Sequence, residues 1–65
     1  MEKMTISASE TSRRLGISKE STLRMLELGD IPAIRMGRNW LVPIKALDEW
    51  LMEKAKTEAK ERREE

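Results

Sequence analysis

Residues 15–32 of the chain read LGISKESTLRMLELGDIP. Leu15 closes one helical pattern, and Gly16 supplies a position where the chain turns with positive φ. Ser18 offers its hydroxyl to the free N–H groups of the helix that follows, which runs from about Lys19 to Leu28 and stops at Gly29. Pro32 bars any continuation. Two helices joined by a short glycine-containing turn, the second one short, polar and basic, form the helix-turn-helix arrangement that lays its second helix in a DNA major groove.

Upstream of the turn, Ser7 and Glu10 have the spacing of a capping box, so the first helix is expected from Ala8. Ile6 sits one residue before the cap, as a staple facing Thr11. Ala8, Thr11, Ser12 and Leu15 form one stripe of mainly small residues, which allows a second helix to approach closely. Arg13 and Arg14 flank that stripe, either as solvated charge or as phosphate contacts from the first helix of the motif.

In the second helix Thr22, Met25, Leu26 and Gly29, with Ile17 ahead of the cap, make the face expected to be core. Lys19, Glu20, Leu23, Arg24 and Glu27 remain on the other side, with Ser21 reaching outward. The plain reading of that side is an amphipathic surface helix. The sharper one is base-edge readout, in which Leu23 meets a thymine methyl and Glu20 is tolerated only against a cytosine amino group.

From Ile31 to Pro43 the period changes from helical to alternating. Ala33–Met36 reads as a strand, Gly37, Arg38 and Asn39 as a tight turn, and Trp40–Val42 as the return strand. A hairpin with an arginine at its tip, directly after a helix-turn-helix, describes a wing. Trp40 and Val42 share the inward face, and Arg35 and Arg38 are placed for phosphate or minor-groove contact.

A third helix starts near Ile44, with Leu47, Trp50, Leu51 and Ala55 on one face to close the core over the first two helices. The fold class is therefore mainly α with a small β-hairpin: a winged helix-turn-helix of three helices and a two-stranded wing. Residues 1–5 are expected as a flexible or extended end and residues 6–54 as the folded domain. Residues 55–65 then form a charged helical extension or disordered tail, with Lys54 and Glu58 spaced for an ion pair.

Sixty-five residues suffice for one small domain with a limited core. The chain has no cysteine and no histidine, which removes disulfides and the usual zinc ligand sets and leaves carboxylates as the main groups for catalysis. No Gly-rich phosphate loop is present, so no cofactor and no small-molecule ligand are implied. Without a signal-like or membrane-length apolar run, a cytoplasmic location is expected. Net charge is only +1, but the residues up to Pro43 carry +2 and those from Ile44 onward −1, so a basic face can exist on a nearly neutral protein.

The runs Leu15-Gly16-Ile17-Ser18, Pro32 to Pro43 and Ala46-Leu47-Asp48-Glu49-Trp50-Leu51 resemble the small excisionase-type DNA-binding domains related to MerR-like winged helices, over roughly Ile6 to Leu51. The resemblance implies a helix after the glycine turn that enters the major groove and a hairpin that acts as a wing. Carried over residue by residue, it points to Lys19, Ser21, Leu23 and Arg24 in the helix, and to Arg35, Arg38 and Asn39 in the wing. Asn39 and Leu41 occupy positions that arginine often holds in such domains, so this wing is less basic than usual.

The expectation is thus a non-catalytic, sequence-specific binder of double-stranded DNA, with Arg13 and Arg14 on phosphates. It would serve as a recombination directionality factor or a small transcriptional regulator. Partners would be an integrase or further copies of the chain on repeated sites, and no membrane is involved. A competing reading keeps the winged-helix core but binds protein through Trp50, Met52 and the charged C-terminal helix.

Overall fold

The computed structural model describes residues 3–64. Its elements run β1 (Thr5–Ile6), α1 (Ala8–Leu15), α2 (Lys19–Glu27), β2 (Ile34–Met36), β3 (Asn39–Pro43) and α3 (Ile44–Glu64). Residues 1, 2 and 65, which the sequence reading assigned to the flexible end and the tail, lie outside the described residues.

Local chemistry sets both helix boundaries of the helix-turn-helix. Ser7 accepts from the Glu10 N–H at 3.1 Å and Ser18 from the Ser21 N–H at 3.1 Å, so each helix begins on a serine cap. Each helix also ends in a Schellman motif. Gly16 turns with φ 71°, its N–H donates to the Arg13 carbonyl at 3.3 Å and the Ile17 N–H donates to Ser12 at 3.1 Å. Gly29, with φ 81°, repeats this through Leu26 and through Asp30 N–H to Met25 at 2.9 Å. The second helix accordingly stops at Glu27, one residue before the expected end.

The α1–α2 contact is polar in composition yet dry. Thr11 and Thr22 are fully buried and Ser12 nearly so. Their hydroxyls donate back along their own helices, Thr11 to the Ser7 carbonyl at 2.8 Å, Ser12 to Ser9 at 2.7 Å and Thr22 to Ser18 at 3.1 Å. Each satisfies its own polar group and then behaves as a small packing residue. Leu26, Ile31, Val42 and Leu47 fill the centre with Ile6 and Ala8.

The hairpin belongs to a larger sheet than the expected two strands. β1 pairs antiparallel with β3, Thr5 opposite Pro43 and Ile6 opposite Val42, giving the order β1-β3-β2. Thr5 is thus in a strand, and Ile6 acts as a buried strand residue rather than as a helix staple. The Met4 carbonyl also accepts from the Ile44 N–H at 3.0 Å, which satisfies a free donor at the start of α3.

Within the hairpin the turn is Gly37-Arg38 alone, and Met36 pairs with Asn39. Gly37 takes φ 62° while Arg38 does not have positive φ, the φ signature of a type II′ turn. Asn39 is therefore the first residue of β3 and not part of the turn, while Ala33 precedes β2.

Met25 and Trp50 are half-buried and pack against the core, as expected, but Ile17, Gly29, Leu51 and Ala55 are exposed. For Leu51 and Ala55 the reason is the direction of α3, which packs chiefly on β3 and then leaves the body as a continuous helix to Glu64. Lys54 and Glu58 do pair, at 3.7 Å.

Candidate nucleic-acid interface

α1, α2 and the β3 strand enclose an open cleft of about 800 Å³. Its floor follows from the helix-turn-helix: the turn at Gly16 brings the start of α2 beside the arginine face of α1, and the wing rises opposite. Five basic side chains (Lys3, Arg13, Arg14, Lys19 and Arg38) line it, against one acidic side chain, Glu10. Apolar surface comes from Leu23, one helical turn after Lys19, and from Trp40 and Leu41 on the wing.

Of the residues singled out from the sequence, the cleft brings together Arg13, Arg14, Lys19, Leu23, Arg38 and Asn39. Lys19, Arg38 and Asn39 are exposed, and among the described residues neither Lys19 nor Arg38 has an ion-pair partner. Arg13 and Arg14 are differently placed. Glu10 accepts from Arg13 Nη2 at 2.9 Å and sits 3.6 Å from Arg14 Nε. The glutamate that the sequence pattern assigned to the reciprocal half of a capping box thus clamps two arginines instead.

Three other candidates lie off the cleft lining. Ser21 is tied to the helix cap, its hydroxyl oxygen 2.9 Å from that of Ser18. Arg24 is exposed on the outer side of α2, with Glu20 and Glu27 one turn away on either side. Arg35 pairs across the ladder with Trp40 and places its guanidinium 4.9 Å from the indole centroid, while its Nε donates to the Gly37 carbonyl at 3.3 Å. Trp40 itself is half-buried, with one face given to this cation.

Sequence reasoning missed Lys3. It stands in a stretch with no periodicity, and only the pairing of Thr5 and Ile6 with β3 carries it to the cleft. The groove thus carries an excess of cations, with the start of α2 along one wall, a charge pattern that attracts polyanions.

Among the described residues no cluster of carboxylates is arranged to hold a metal, and no helix is long and apolar enough to cross a membrane. Neither curated proteins nor solved structures yield a match. A helix-turn-helix domain family does match, over residues 5–55, a span that takes in β1, both helices of the motif, the wing and the first half of α3. The chain belongs to this excisionase-like family of small DNA-binding helix-turn-helix domains.

Proposed function

We propose that the chain is a non-catalytic, sequence-specific binder of double-stranded DNA that works through the basic cleft. The start of α2 enters the major groove, where Lys19 and Leu23 meet base edges, and Arg24 reaches the neighbouring backbone. Arg38 and Asn39 at the tip of the wing lie on the backbone or in the adjacent minor groove, and Arg13, Arg14 and Lys3 hold phosphates. The observation that carries this reading is the collection of five cations along one groove from four parts of the chain: the segment before β1, α1, α2 and the wing turn.

A single module of this size buries about 600–1,000 Å² of protein surface on DNA, so one copy binds modestly and relies on neighbours for occupancy. That requirement suits a recombination directionality factor acting beside an integrase, or a small transcriptional regulator on repeated sites. The testing experiment is an NMR titration with a short duplex at low salt. Amide shifts clustered on Lys3–Thr5, Arg13–Arg24 and Arg38–Leu41, and lost as salt rises, support the reading. Shifts confined to α3 beyond Trp50, or none at all, overturn it in favour of a protein-binding adaptor.

A further inference from the structure

The wing has two faces, and the cross-strand register assigns each residue to one of them. Partners directly opposite in a ladder put their side chains on the same face, and residues two apart on one strand share a face. The pairs Ile34 with Leu41 and Met36 with Asn39 therefore gather four side chains on one face, opposite to that of Arg35 and Trp40. Leu41 and Asn39 line the basic cleft. Ile34 and Met36 carry the same wall outward, at 56% and 59% exposure. Edge strands ordinarily carry charge or a bulge at such positions, because an exposed apolar edge invites aggregation.

The surroundings of this apolar ledge point to its partner. From Ile31 to Leu47 the chain has no carboxylate, and its only charges are Arg35, Arg38 and Lys45. An apolar strip set among cations and continuous with the cleft suits the minor groove of a duplex, whose sugar walls are largely apolar and whose phosphates are anionic. Met36 is the nearer of the two to the turn. Its unbranched, flexible side chain is able to follow a groove of about 6 Å width.

We propose, building on the DNA-binding role, that Met36 makes the wing select A·T over G·C pairs in the minor groove, with Ile34 packed on the adjoining sugars. Both kinds of pair show acceptors on the floor of that groove, but a G·C pair adds the guanine N2 amino group, a donor. Met36 laid over that amino group displaces its water and returns only a weak thioether acceptor. The buried donor is then left nearly unpaired, and the complex with G·C is the weaker one. Asn39, the ladder partner of Met36, offers both a donor and an acceptor and satisfies either pair, so the discrimination falls to Met36.

Two duplexes isolate this contact. Poly(dI-dC) and poly(dG-dC) present the same major-groove pattern to α2 and differ in the minor groove, where inosine lacks the N2 amino group. Fluorescence anisotropy of the full chain at low salt is expected to show poly(dI-dC) bound at least about fivefold more tightly than poly(dG-dC). Met36→Leu, which keeps an apolar side chain, is expected to preserve that preference. Met36→Gln, of similar length but with a full acceptor for the amino group, is expected to bring the two duplexes level. The position is exposed, so both variants are expected to melt with the parent. Equal affinity of the wild type for the two duplexes overturns the inference and leaves DNA binding itself in place, as does a preference that survives Met36→Gln unchanged. Failure to bind either duplex overturns the DNA-binding role, and this inference with it.

Discussion

Arg35 and Trp40 are directly opposed in the β2–β3 ladder, and the guanidinium of the first lies 4.9 Å from the ring centroid of the second. The wing therefore divides its arginines between two tasks. Arg38, at the turn, projects into the cleft, whereas Arg35 covers the indole and braces the turn through the Gly37 carbonyl.

Replacing Arg35 with alanine is accordingly expected to act on stability first. An exposed cation–π pair contributes about 0.5–1 kcal/mol, and the melting temperature should fall by the corresponding few degrees. Arg38→Ala is expected to leave the melting temperature unchanged and to weaken DNA binding. Thermal denaturation and a binding titration on both variants separate the two assignments, and they fail together if the effects are interchanged.

Glu10 restrains the cleft. By holding Arg13 and Arg14 it removes them in part from any phosphate and adds a negative charge to the groove wall. Glu10→Gln is expected to tighten DNA binding a few-fold at low salt, with a loss of stability of about 0.3–1 kcal/mol from the first turn of α1. Fluorescence anisotropy against a labelled duplex, with the melting temperature measured in parallel, reads both.

The buried threonines lend themselves to an isosteric test. The carbonyls of Ser7 and Ser18 each also accept from a backbone N–H, from Thr11 at 2.9 Å and Thr22 at 3.1 Å, so loss of the hydroxyl leaves no carbonyl without a donor. Thr11→Val and Thr22→Val are expected to lie within about 0.5 kcal/mol of the parent or above it, while the alanine variants open cavities and cost roughly 1–2 kcal/mol. Chemical denaturation of the four variants provides the comparison.

Gly16 takes φ 71° with open space where a side chain would lie. Only backbone strain then opposes a substitution. Gly16→Ala is expected to cost about 1 kcal/mol and Gly16→Asn less, since asparagine tolerates the left-handed region better. Equal losses for the two would point to a steric cause instead.

Much of this was legible in the chain because turn chemistry is local. Gly16, Ser18, Gly29 and Pro32 mark the helix-turn-helix without reference to anything distant. What escaped depends on register and on long-range pairing. A turn of Gly37, Arg38 and Asn39 would oppose Arg35 to Leu41; the actual two-residue turn shifts the register by one and brings Arg35 to Trp40. β1 has two residues, too few to show alternation, and its pairing with Val42 and Pro43 spans most of the domain. Leu51 and Ala55 share the helical phase of Leu47, but phase does not say where the body of the domain ends and α3 runs on alone.

The central claim, that the cleft between α2 and the wing receives duplex DNA, is tested most directly by the salt dependence of binding for the wild type and for the double variant Lys19→Ala/Arg38→Ala. The expected result is weaker binding, from the base-edge contact of Lys19 and the backbone contact of Arg38 together, and a slope of log affinity against log salt that is shallower by about one for the phosphate-facing Arg38, with circular dichroism unchanged. An unchanged affinity and slope in a folded double variant would contradict it.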